Sequence, residues 1–196
     1  ACSILKVASY LVTFPFSSVF ASMNLIIYEP MSLTSPPGLS LKYFGGGSIE
    51  KSLLSMKISF VNLKTGEVSK RGQFSYINQS VDLPPLIDAY SCYVDVNPKT
   101  KDVLLSYRYT DVIEIYNMYG DLKYALQGPD CFNVEYQPLS NGKGMGKVPK
   151  TRKAFVNSYV TENFIYLLFS GCKKGEKNWA NGTQLFVFTW DGIPYK

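Results

Sequence analysis

Asp111 to Gly128, DVIEIYNMYGDLKYALQG, reads as an alternating apolar run, a tight turn at Tyr119-Gly120 and a second alternating run. The plan recurs on both sides. Lys57 to Phe74 (KISFVNLKTGEVSKRGQF) turns at Gly66, and Gln184 to Lys196 (QLFVFTWDGIPYK) turns at Gly192. Aligned on the three glycines, Val61, Ile115 and Val187 fall at one offset. Self-similarity of this kind is the mark of a repeat architecture.

Each unit extends backwards from its turn. In the third, Ala154 to Val160 is one strand, Thr161-Glu162-Asn163 a hairpin link, Phe164 to Phe169 the next strand, and Leu185 to Trp190 the third. Asp191-Gly192 then leads into a fourth run from Ile193, a strong short-range hairpin signal. In the second, Ala89 to Val96, Val103 to Tyr107, Val112 to Tyr116 and Leu122 to Leu126 follow the same order. The first is looser, with Ser18 to Ala21, Leu25 to Tyr28, a long insertion, Ile58 to Asn62 and Val68 to Phe74.

Four antiparallel strands per unit describe β-propeller blades, here spanning approximately 17–74, 88–128 and 154–196 as one partial domain. The glycine spacings of 54 and 72 residues exceed the roughly 40 to 50 of an ordinary blade, so the excess is loop. Three blades do not close a ring, since rings take roughly four to eight. The stretch therefore reads as about half of a larger all-β propeller, with completion by a second copy the less favoured reading. The oligomeric state stays open.

Composition narrows the function. The 196 residues are 46% hydrophobic and 15% aromatic, with 15 Tyr and 12 Phe, a balance that suits strands. No window gives a convincing amphipathic helix, and no apolar run reaches the ~20 residues of a membrane span. Histidine is absent, which removes Ser-His-Asp and Cys-His nucleophile systems and any His-containing zinc site. The net charge is +5. Ser140 to Lys177 carries eight basic residues against two acidic ones, a cluster read first as solvated loop surface and second as an attractor of anions. No nucleic-acid-binding signature accompanies it.

Cys2, Cys92, Cys131 and Cys172 form no CxxC pattern. Cys92 reads as a small buried residue, and a Cys131–Cys172 bridge is the less favoured alternative to free thiols. Cys2 after Ala1 is similar to the end of a lipoprotein signal, which would make it a lipid anchor, although two residues carry little weight. Gly142-Lys143-Gly144-Met145-Gly146 lacks the strand and helix of a phosphate loop and reads as flexible loop. Glu29, Asp88, Asp95, Asp102, Asp111 and Asp130 show no ligand spacing, so turn and capping roles take precedence over a metal. No cofactor is implied.

The runs FIYLLFSG (Phe164 to Gly171), QLFVFTWDGIPYK and TDVIEIYNMYGDL followed by GPD (Gly128 to Asp130) resemble TolB-like six-bladed β-propellers of bacterial families without an established function. The resemblance covers most of the chain from about Ser17. It implies a six-bladed ring and an exported protein that is periplasmic, secreted or anchored at the outer membrane. It carries no catalytic set to transfer.

Strand order places function. First-to-second and third-to-fourth links lie at one end of an antiparallel blade, and here they are short. The long segments, Glu29 to Lys57, Ser75 to Asp88, Gln127 to Lys153 and Ser170 to Thr183, all belong to the opposite end. Long connections in compact domains are where function concentrates. The residues expected at contacts there are Tyr43, Phe44, Arg108, Tyr109, Arg152, Lys173, Lys174, Lys177 and Trp179, of types enriched in binding hot spots. The expected function is a non-catalytic binding or scaffold propeller of the bacterial cell envelope that recognises a protein or glycan. The alternative is a propeller hydrolase or lyase acting on a sugar, lactone or ester through axial carboxylates or a metal.

Overall fold

The computed structural model describes residues 24–28, 56–62, 67–73 and 83–195. They fall into two compact units, the first three of these stretches in one and 83–195 in the other.

The first unit is a three-stranded sheet of β1 (Asn24–Tyr28), β2 (Met56–Asn62) and β3 (Val68–Gln73), with β2 central. Ile58, Ser59 and Phe60 of β2 are buried. β2 and β3 pair antiparallel, as the turn near Gly66 predicts, but β1 runs parallel to β2, Asn24 opposite Ile58. This corrects the expectation of an antiparallel first unit. A parallel pair requires a crossover of roughly a dozen residues or more, and the insertion between the two strands supplies that length. The expected strand at Ser18 to Ala21 lies outside the described residues.

In the second unit the chain opens with α1 (Leu83–Ala89). The sequence reading placed loop here and began a strand at Ala89. A seven-residue helix is too short to register as periodicity and draws its stability from packing. Pro84 and Pro85 fit its first turn, where a missing N–H leaves no bond unmade. Leu86, Ile87 and Ala89 are its buried face.

Four strands follow, β4 (Cys92–Val96), β5 (Val103–Tyr107), β6 (Val112–Tyr116) and β7 (Leu122–Gln127), in an antiparallel meander ordered β4-β5-β6-β7. The β6–β7 turn is built by Asn117, whose Oδ1 accepts the N–H groups of Tyr119 and Asp121, both at 2.9 Å. Gly120 sits at φ 87°, a left-handed conformation that favours glycine. Gly192 repeats this at φ 76°. Gly120 N donates to Asn117 O and Gly192 N to Thr189 O, each at 3.0 Å, so the two aligned glycines close the same turn.

Next come the short hairpin β8 (Tyr136–Pro138) and β9 (Met145–Lys147), then a three-stranded antiparallel sheet of β10 (Phe155–Val160), β11 (Phe164–Phe169) and β12 (Gln184–Thr189). Beyond β12, Tyr195 N donates to Val187 O at 2.8 Å and Pro194 bridges Phe188, so the expected fourth run starts to pair. The hairpin corrects the flexible-loop reading of 142–146. Met145 is buried against Ala89 and Tyr109, and its N–H donates to Asp88 Oδ2 at 3.0 Å.

The core lies between the two larger sheets. Leu104, Ile113 and Ile115 from one face Phe155, Ile165, Leu167 and Phe169 from the other, with Trp190 closing the group. Phe169 meets Phe155 and Phe186 at ring separations of 5.5 and 4.9 Å. β10 runs beside β4, where the Ser158 hydroxyl donates to the Asp95 carboxylate. On the other face of β5 and β6, the buried Glu114 carboxylate accepts the hydroxyls of Tyr107 at 2.7 Å and Tyr116 at 2.9 Å. Burial first and the Glu114 charge second raise both tyrosines well above their ordinary value.

Candidate functional site

Within 83–195 the short and long connections separate. At one end Asn97 Nδ2 donates to Glu162 O at 3.0 Å, joining the β4–β5 and β10–β11 links, and Trp190 Nε1 donates to Thr161 O at 2.9 Å. At the opposite end the β5–β6 link, the β7–β10 connection and the β11–β12 connection converge. Ala154 N donates to Arg108 O at 2.8 Å, Lys153 N to Cys172 O at 2.9 Å and Gly171 N to Lys153 O at 2.8 Å.

This backbone lattice brings Arg108, Tyr109 and Lys153 together. Tyr109, on the β5–β6 link, is buried with Ala89 and Met145. Trp179 stacks on it, centroids 6.3 Å apart and planes 25° from parallel. The Trp179 segment is held by Ser170 Oγ, which donates toward the carbonyls of Asn178 and Trp179, both 3.1 Å away. Three cations crowd the same ring. Lys153 Nζ lies 4.8 Å from its centroid, Lys147 Nζ 5.4 Å and the Arg108 guanidinium carbon 5.6 Å. Lys153 is only 7% exposed, and burial, then Arg108 and Lys147, pull its ammonium down to about 8. Arg108 Nε is buried without a hydrogen-bond partner. Among the described residues no carboxylate forms an ion pair with any of the three.

The other residues expected at this end have different surroundings. Arg152 is built into the structure: its Nε donates to Gly171 O at 2.9 Å, its guanidinium pairs with Asp130, and it covers the Phe132 ring at 4.3 Å. Lys173, Lys174 and Lys177 are exposed, and Lys174 Nζ donates to Lys147 O at 2.7 Å. Tyr43 and Phe44 lie outside the described residues. Lys147 and Lys153 entered the sequence reading only as members of a basic stretch, because nothing local distinguishes a lysine that will be buried.

The neighbouring loop is organised by Asp111. This buried carboxylate accepts the N–H groups of Asp130 (3.1 Å), Cys131 (2.7 Å) and Phe132 (3.1 Å), and the side-chain amide of Gln127. Gly128 packs so closely that an added Cβ would sit 2.8 Å from both Asp111 Cβ and its carbonyl oxygen. The TD and GPD elements of the sequence are thus two halves of one capped turn.

A family model described as TolB-like 6-blade propeller-like matches residues 54–196. The chain belongs to this family. No curated protein and no solved structure matches it. In this TolB-like chain three further acidic side chains that could have served a metal are also occupied, Asp88 by Met145 N, Asp95 by Ser158 and Asp102 by Lys123 at 2.7 Å, while Glu29 lies outside the described residues. Among the described residues no group of three or more His, Cys, Asp or Glu is placed to hold a metal ion. Cys131 and Cys172 are free thiols, not bridged to each other, and Cys92 is half-buried rather than fully buried. No helix among the described residues is long and apolar enough to cross a membrane.

Proposed function

We propose that this chain is part of a six-bladed propeller, with about three blades present, that acts as a non-catalytic binding or scaffold module of the bacterial cell envelope. It recognises a protein or glycan partner through the end where its long connections gather. The observation that carries this reading is the Tyr109–Trp179 pair ringed by three cations that have no carboxylate partner among the described residues. Desolvated basic and aromatic side chains held by a rigid lattice are the usual anchors of a binding surface. The hydrolase or lyase reading needs a carboxylate released from structural work, whereas Asp88, Asp95, Asp102, Asp111 and Asp130 each hold a turn, a strand or an ion pair.

The test is capture of a partner from a cell-envelope extract by the immobilised protein. Replacing Trp179, Lys173 and Lys174 by Ala, with the far-ultraviolet circular dichroism unchanged, is expected to abolish capture. Undiminished capture by that variant overturns the assignment of the face.

A further inference from the structure

We propose that Arg108, Lys147 and Lys153 together form a site for one oxyanion, a carboxylate, phosphate or sulfate group carried by the ligand. The inference gives a ligand chemistry to the binding face and rests on that reading. The geometry points there because the cations are brought together without a counter-charge among the described residues. Lys153 and Lys147 each approach one ring centroid, so their ammonium groups lie within about 10 Å of each other. That is about one Debye length at 0.1 M salt, and burial weakens the screening further.

Tyr109 does not compensate for this crowding. A ring has two faces, and Trp179 lies along one of them, so the quadrupole cannot serve three cations well. A buried cation without a partner is costly, and ionisable groups perturbed by burial beside like charges cluster at functional sites. Lys153 meets this description, being 7% exposed and paired with no carboxylate among the described residues. The unsatisfied Nε of Arg108 adds a second donor, and the exposed Lys147 gives the anion a route in. An oxyanion accepts from all three and removes their mutual repulsion.

The test uses inorganic phosphate and acetate as probes, added at constant ionic strength and followed by Trp179-dependent fluorescence and by thermal unfolding. Wild-type protein is expected to bind at least one probe and to gain thermal stability with its concentration, as any ligand specific for the folded state requires. Lys153→Met is expected to weaken binding at least tenfold while itself folding, since it removes a buried charge and keeps the chain length. Lys99→Ala, an exposed residue of the β4–β5 link at the opposite end, is expected to bind as wild type. Neither probe binding, or equal binding by Lys153→Met, overturns the site. An acidic peptide and an acidic oligosaccharide, compared in the same assay, show which carrier presents the oxyanion, and loss of either signal in Lys153→Met supports the proposal. Partner capture is scored separately. Probe binding with capture insensitive to the face variants leaves this site standing and sinks the partner reading, whereas capture that depends on the face without probe binding does the reverse.

Discussion

Lys153 and Tyr109 are buried together, the ammonium 4.8 Å from the ring centroid, in a connection region that also carries Arg108 and Lys147. The placement makes the protonated lysine a liability in the free protein. Its pKa falls from 10.5 to about 8, so between those values the unfolded chain binds more protons than the folded one. Stability therefore rises with pH across that window, relative to a variant without the group. Lys153→Met is expected to be more stable than wild type at pH 7, by on the order of 1 kcal/mol, with the difference shrinking as pH climbs through 8. Denaturant titrations of both proteins at several pH values measure it. A difference independent of pH would refute the placement.

Asp111 and Gly128 give a second prediction. Asp111→Asn keeps the shape but removes the charge that three backbone N–H groups share, and is expected to cost about 2 to 4 kcal/mol. Gly128→Ala forces backbone apart at the same turn and is expected to cost about 2 kcal/mol. Because both act on one turn, the double variant should lose clearly less than the sum. Equilibrium unfolding of the four proteins decides this, and strict additivity would show that the two residues do not share a turn.

At Glu114 the sign runs the other way. Raised Tyr107 and Tyr116 pKa values mean that the folded protein keeps its phenolic protons where the unfolded chain loses them. The stability they contribute is complete below pH 10 and is lost as pH rises beyond it. Glu114→Gln is expected to bring tyrosinate absorbance to lower pH, with burial still holding it above the ordinary value. Spectrophotometric titration of the folded protein checks this. Identical curves for the two proteins would mean that the Glu114 charge does not reach the phenols.

Asn97 separates two roles. Its Oδ1 accepts Lys99 N at 2.8 Å and Thr100 N at 3.0 Å, while Nδ2 reaches the other sheet at Glu162 O. Asn97→Asp keeps the turn acceptors and deletes the cross-link, and is expected to cost about 1 to 3 kcal/mol. Asn97→Ala loses both and should cost more. Thermal unfolding ranks the three proteins, and equal losses would show that only the turn matters.

Trp179 and Tyr109 yield a binding prediction. Trp179→Ala uncovers one face of Tyr109 while leaving the Lys153 backbone pairs intact, so capture of the partner should fall at least tenfold with little change in unfolding midpoint. Surface plasmon resonance on the captured partner measures the ratio. A large fall in midpoint instead would make Trp179 a packing residue.

Residue order alone determined the local design of the second unit. Val103–Tyr107, Val112–Tyr116 and Phe164–Phe169 are strands at the expected bounds, because alternation and turn chemistry act over a few residues. The glycine alignment likewise reported a shared turn, since a left-handed φ is demanded locally at Gly120 and Gly192. Within 83–195 the segregation of long connections followed from counting antiparallel strands, a count that the parallel β1–β2 pair breaks in the first unit. Only the tertiary structure decided that β1 pairs parallel with β2, that 83–89 coils into a helix and that 136–147 forms a hairpin. Each depends on what the segment packs against, which no window of sequence contains. The same holds for the site. Lys153 is one basic residue among eight in its stretch, and its burial against Tyr109, beside Arg108 and Lys147, arises from chain segments that meet only on folding.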